Sequence, residues 1–172
     1  FYSGLHKAYF VAISAHSPCE AATLDEKSVF HNELRHSISG AANLYPEDMV
    51  ILFIDANGKV GSVPSSAIGL CQADTATANG TMVRTSLEEL GRCAVNTFHK
   101  AGKTWCGTRG HKSRNDYTCT KCDDFVEVLS CFVDDQVSLA PAAREDHYLL
   151  AMRLRVKEAS TTPKAAKKKL PL

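Results

Sequence analysis

Met49-Val50-Ile51-Leu52-Phe53-Ile54-Asp55-Ala56-Asn57-Gly58 is the stretch on which the fold turns. Residues 49–54 are the longest run of large apolar side chains, far short of the roughly 20 residues that a bilayer-spanning helix needs. A short run of Val, Ile, Leu and Phe closed by Asp reads as a buried strand, Met49–Asp55. Asn57-Gly58 between two apolar runs is a hairpin signal, because both central turn positions favour positive φ, so a second strand is expected at Lys59–Val63.

Working outward, Tyr9–Ile13 is aromatic and β-branched and reads as a strand, and residues 17–27 read as a loop. Ser28–Leu44 carries Phe30, Leu34, Ile38 and Ala41/Ala42 at helical spacing, with Asp25 or Ser28 as the cap and Tyr45-Pro46 as the stop. Pro64–Gly80 is rich in small residues and reads as a long loop. Ser86-Leu87-Glu88-Glu89 has the pattern of a capping box, which predicts a second helix through Leu90, Cys93, Ala94 and Phe98 to Gly102. Phe125–Val133 is β-branched enough to be a strand. Tyr148–Val156 alternates apolar with arginine, as a half-buried strand does. The sum is an α+β chain, with a small mixed or antiparallel sheet and two helices, in a single domain over residues 1–157.

The chain has 172 residues, 44% apolar and 23% charged, with a formal net charge of +1. These values exclude disordered, collagen-like and membrane-spanning classes. The charge is uneven. Residues 158–172 hold Lys164, Lys167, Lys168 and Lys169 against Glu158, so this segment is expected to be a disordered basic C-terminal tail, leaving −2 on the rest. The sequence begins at Phe1 without Met, as expected of a mature form, a domain cut from a longer chain or a fragment, and shows no secretory leader pattern. Seven cysteines would leave one unpaired in a full disulfide framework. Metal-ligand spacing among them favours a reducing, intracellular compartment, the nucleus included. Secretion is left open, in which case Asn79-Gly80-Thr81 is a sequon.

The candidate site lies within 103–124. Cys106, His111, Cys119 and Cys122 form Cys-x4-His-x7-Cys-x2-Cys, four donors of the kind a tetrahedral zinc site takes, with Gly107 and Gly110 allowing the first pair to bend around the ion. Cys93, His99 and Cys131 are substitute donors. Lys103, Arg109, Lys112, Arg114 and Lys121 surround these residues, interleaved with Trp105 and Tyr117. Basic groups neutralise phosphates and aromatic faces stack on bases, so Trp105, Arg109, Lys112, Arg114 and Tyr117 are candidate nucleic-acid contacts. His36 and His147 show no partner in the sequence, and Asp123-Asp124 and Asp134-Asp135 flank the strand expected between them. No glycine-rich phosphate loop and no nucleophile elbow is present.

Trp105, Asn115 and Cys119-x2-Cys122 resemble the small zinc fingers that place Trp before the first Cys and Asn between the ligand pairs. That resemblance implies a zinc knuckle binding nucleic acid or a nucleoprotein partner rather than catalysis. Val29-Phe30-His31-Asn32-Glu33 resembles the start of the first helix of the zinc-dependent nucleoside and nucleic-acid deaminases. That second resemblance implies the enzymatic alternative, with His31, Cys119 and Cys122 holding zinc and Glu33 shuttling protons. It also requires a helix beginning at Cys119.

Overall fold

Thr23 starts the first helix, one turn earlier than the apolar stripe alone predicts. Its side chain accepts from the Glu26 amide and the Glu26 carboxylate accepts from the Thr23 amide, so the two residues satisfy each other's free groups. In the computed structural model, which describes residues 9–137 and 146–155, the elements run β1 (Phe10–His16), α1 (Leu24–Leu44), β2 (Met49–Asp55), α2 (Ala78–Glu89), β3 (Arg92–Ala94), β4 (Trp105–Cys106), β5 (Lys112–Ser113), β6 (Asp116–Lys121), β7 (Val128–Asp134) and β8 (Leu149–Leu154). The 3-10 turns Val95–Thr97 and Cys122–Glu127 lead out of β3 and β6. The class is mixed α+β, as expected. The lysine-rich segment 158–172 lies outside the described residues. No described helix is long and apolar enough to cross a membrane.

The main sheet has the order β1-β2-β6-β3, with β1 parallel to β2 and the other two pairings antiparallel. Period-2 alternation sorts its side chains. Leu52 and Ile54 of β2 and Tyr117 and Cys119 of β6 face the helices, where Leu34 and Ile38 of α1 and Val83 and Leu87 of α2 close the core. A smaller core lies around β7 and β8, where Cys131, Val128, Leu150 and Met152 pack with Cys93 and Val95.

Two expectations fail for identifiable reasons. Asn57 does take a left-handed φ of 44°, but no described strand forms at Lys59–Val63. The antiparallel neighbour of β2 is β6, which starts 58 residues after Gly58 in number and brings Tyr117 opposite Ile54. The expected second helix is displaced upstream. Thr77 caps α2, and Gly91 at φ 61° ends it, so Arg92-Cys93-Ala94 is free to pair with Lys121-Thr120-Cys119. Ser86 therefore sits in the last turns of α2 instead of starting it. The strands expected at Tyr9–Ile13, Met49–Asp55, Phe125–Val133 and Tyr148–Val156 are present, with shifted ends at the first and the last two.

Candidate active site

Parallel pairing of β1 and β2 sets His16 beside Asp55, and antiparallel pairing of β2 with β6 sets Asp55 beside Asp116. Registered partners project to the same face of a sheet, so His16, Asp55 and Asp116 form a row across three strands, on the face opposite the helices. The row lies at the C-terminal ends of the parallel pair. The backbone turns sharply beyond it. The Asn57 amide donates to Asp55 Oδ1 (2.8 Å), and its side-chain amide donates to the Ser17 carbonyl (2.9 Å), tying the turns after β1 and β2 together. Asn79, fully buried, donates to the Pro18 and Asn57 carbonyls from the first turn of α2. Burial removes this asparagine from any role as a sugar acceptor.

His147 completes the row from the segment ahead of β8. It bridges to Trp105 of β4, while the Cys106 amide donates to the Asp146 carbonyl (2.7 Å) and the Tyr148 amide to the Thr104 carbonyl (2.8 Å). The β4–β5 hairpin thus hangs beside the site and holds the His147 backbone. The His147 ring places Nδ1 3.0 Å from Asp116 Oδ2 and Nε2 3.8 Å from Asp55 Oδ2. Thr104, fully buried, accepts at its hydroxyl from the amides of both Asn115 and Asp116 (3.0 and 2.9 Å). Burial raises the Asp116 carboxyl above its ordinary range, and the Asp55 charge adds to that. Thr104 and His147 act in the other direction.

Asp55, Asp116 and His147 are the group of three metal-ligating side chains that converges among the described residues, with one donor atom of each within 4.8 Å of the others. The donors suit a divalent cation: hard carboxylate oxygens with one imidazole. A cation there would also relieve the crowding of negative charge that, with burial, raises Asp116.

The residues singled out from sequence are placed elsewhere. Cys119 lies inside β6, Cys122 opens the 3-10 turn after it, and the two side chains enter different cores. Cys119 is fully buried in the helix-side core, and Cys122 packs in the smaller core with its thiol towards the Ser66 carbonyl. Burial pushes the Cys119 thiol far above its usual range, which opposes the thiolate that a metal needs. Cys106 lies in β4 and His111 is exposed in the β4–β5 turn. His31 is buried between the helices, edge-on to Phe30 and 3.5 Å from the Ser86 hydroxyl, whereas Glu33 is exposed. Of the candidate nucleic-acid contacts, Arg109 and Lys112 are exposed and Trp105 is half-buried against Gly107. Arg114 is buried with its guanidinium donating to the Cys71 carbonyl, and Tyr117 is buried with its hydroxyl bonded to Arg114, Gly58 and Val60 backbone.

No family model and no curated protein matches the chain. Solved structures do. The 3' phosphatase NExo from Neisseria, bound to product DNA hairpin, aligns at TM-score 0.54 and 13% identity over 76% of this chain and 54% of that one. The endonuclease domain of TRAS1, a telomere-specific non-LTR retrotransposon, aligns at 0.50 and 24% identity over 74% and 52%. An AP endonuclease from Archaeoglobus fulgidus aligns at 0.52 and 12% identity over 81% and 60%. The chain shares its fold with these proteins. The chain spans a little over half the length of these neighbours.

That shared fold overturns both resemblances drawn from the sequence. The chain is neither built as a zinc finger nor arranged as a deaminase. The order required by the deaminases is absent in particular, because Cys119 lies within β6 and is followed by a 3-10 turn and β7, not by a helix. The expectation of a zinc-stabilised binding module without catalysis is corrected by the same finding, since the neighbours are a phosphatase and endonucleases. The signals that would have found the site were Asp55-Ala56-Asn57 at the end of the best strand, Asp116 before Tyr117, and Asp146-His147 before the last strand. Each is a polar residue at the margin of an apolar run, with no spacing pattern to link the three.

Proposed function

We propose that the chain carries the phosphoester-hydrolysing centre of a divalent-metal-dependent nuclease or phosphatase acting on nucleic acid. The observation that carries this reading is the Asp116–His147–Asp55 row at the strand ends of a fold shared with DNA-processing phosphoesterases. Asp55, Asp116 and His147 would hold the metal. Such an ion offsets phosphate charge and makes water a better nucleophile near neutral pH.

The chain's own groups have distinct parts in this chemistry. Asp116 accepts from His147 Nδ1–H, which fixes the tautomer and leaves the Nε2 lone pair directed towards Asp55 Oδ2. Nε2 and Asp55 Oδ2 would both be donors to the ion, with Asp116 holding the imidazole from its other nitrogen. Thr104 and the β4–β5 hairpin keep the carboxylate and imidazole in line. Arg109 and Lys112, exposed on that hairpin, meet the backbone phosphates on either side of the scissile bond. Lys112 Nζ also lies 4.9 Å from the centre of the Tyr148 ring, next to His147.

The test is hydrolysis of labelled oligonucleotides, unmodified, abasic or 3'-phosphorylated, with Mg²⁺ or Mn²⁺. Metal-dependent cleavage or phosphate release that Asp55→Asn and Asp116→Asn each abolish is the expected result. Turnover that persists in both variants, or a wild-type chain that neither turns over nor binds metal, overturns the reading.

A further inference from the structure

Asp55 Oδ2 has an imidazole on each side. His147 Nε2 lies 3.8 Å away and His16 Nε2 lies 3.5 Å away. His16 is the last residue of β1 and is set in register with Asp55 by the parallel ladder. Its side chain is 75% exposed. A histidine this open has no packing role, and its neighbour across the ladder is a half-buried carboxylate of the proposed centre.

Each imidazole is near Asp55, although His16 stands outside the group whose donors all lie within 4.8 Å of one another. Two donors each about 2.1 Å from a cation lie about 3.0–3.4 Å apart in octahedral or tetrahedral geometry. The His16 distance is just above that range and the His147 distance is longer by roughly half an ångström. The His16 ring, exposed and free to turn about its side-chain bonds, has to swing towards His147 as well as Asp55 to join them on one ion. The His147 ring is meanwhile held from behind by Asp116, as metal-bound imidazoles are commonly held by a carboxylate on the other nitrogen.

We infer that His16 is a ligand of the same metal centre, and that two imidazoles beside the carboxylates bias it towards a borderline cation such as Mn²⁺ over Mg²⁺. The inference rests on the proposed phosphoesterase site and specifies its metal chemistry. Mg²⁺ takes oxygen ligands and retains water, so a second nitrogen gains it little, whereas Mn²⁺ accepts imidazole readily. His16 is also the one member of the row contributed by β1. Its ligation would tie the end of β1 to β2 and β6 whenever metal is bound.

Mn²⁺ is the suitable probe, because exposed or half-buried thiols such as Cys19 and Cys71 would compete for a softer ion. Calorimetric titration of the full chain with Mn²⁺ alone and with Mg²⁺ alone is compared for wild type, His16→Ala, Asp55→Asn and His147→Ala. Pulsed electron paramagnetic resonance of the Mn²⁺ form counts coupled imidazole nitrogens. His16→Ala is expected to weaken Mn²⁺ about tenfold, to change Mg²⁺ by less than about twofold, and to remove one of two imidazole couplings. Because His16 is exposed, folding should be preserved, which circular dichroism checks. Unchanged Mn²⁺ binding in His16→Ala with loss in Asp55→Asn and His147→Ala overturns the inference and leaves the proposed centre standing. Unchanged binding in all three variants, or none in wild type, overturns both.

Discussion

His147 and Asp116, 31 residues apart in the chain, meet through an imidazole Nδ1 and a carboxylate oxygen 3.0 Å apart. Neither residue is on an apolar stripe, and neither belongs to a local motif. The contact exists because β6 begins at Asp116 and the segment leading into β8 is pinned to the β4–β5 hairpin. Its chemical consequence is an imidazole held between two carboxylates, with Nε2 3.8 Å from Asp55 Oδ2.

Asp116→Asn removes the charge beside the imidazole and turns one carboxylate oxygen into an N–H donor while keeping the side chain's shape. Turnover of the oligonucleotide substrate is expected to fall about 100-fold or more, with kcat carrying most of the loss and thermal stability nearly unchanged. A variant with wild-type kcat would show that the pair has no part in the reaction.

Thr104→Val removes the one hydroxyl that accepts from two successive backbone amides, at Asn115 and Asp116. Two half-buried donors then lack a partner, so a loss of about 1–2 kcal/mol is expected in urea unfolding. Thr104→Ser should restore most of it. Equal stability of the valine and serine variants would contradict this account.

Burial, with the Arg35 charge nearby, pushes the His31 imidazole down from 6.5 to about 4. The folded state therefore resists protonation at a pH where the unfolded chain accepts it. The His31 contribution is fully present above about pH 6.5, declines as pH falls towards about 4, and levels off below. The stability difference between wild type and His31→Gln should shift by roughly 1–3 kcal/mol across that window. A difference that stays constant with pH would refute the assignment.

A methyl group on Gly80 would lie 1.8 Å from the Lys59 carbonyl oxygen, on rigid backbone. Gly80→Ala must push the first turn of α2 away from the turn after β2, where Asn79 and Asn57 support the site. Differential scanning calorimetry is expected to show a loss of about 3 kcal/mol or more. A melting temperature equal to wild type would mean that this contact is not as close as described.

Thiol labelling separates the cysteines by burial. Cys19 is exposed, whereas Cys93 and Cys131 are buried with thiols pushed up to about 11 and Cys119 is more deeply buried still. Cys19 should react with a thiol reagent within the mixing time, and Cys119 only on unfolding. Rapid modification of native Cys119, located by mass spectrometry, would revive a role for it at an accessible site.

How much could be read in advance depended on the range of the interactions involved. The strand Met49–Asp55 and the body of the helix to Leu44 were legible because burial imposes a period that a short window of sequence displays. Asn57-Gly58 correctly marked a turn, but the partner of the strand before it could not be chosen locally, since β6 lies about 60 residues further along the chain. The stripe Leu90, Ala94, Phe98 misled because Gly91 and the ladder with β6 outweigh helical periodicity over so few residues. Cys-x2-Cys misled more seriously. That spacing presents two thiolates together on a tight turn, yet here it straddles the end of β6 and the 3-10 turn beyond, and the two thiols enter different cores.

The sequence by itself determined the mixed α+β class, the main buried strand and most of its companions, because these follow from apolar pattern and local backbone preference. The fold alone brings His16, Asp55, Asp116 and His147 together and sends Cys119 and Cys122 into different cores. Strand order and register join residues far apart in the chain, and these long-range pairings are selected by the whole core at once rather than by any short stretch of residues.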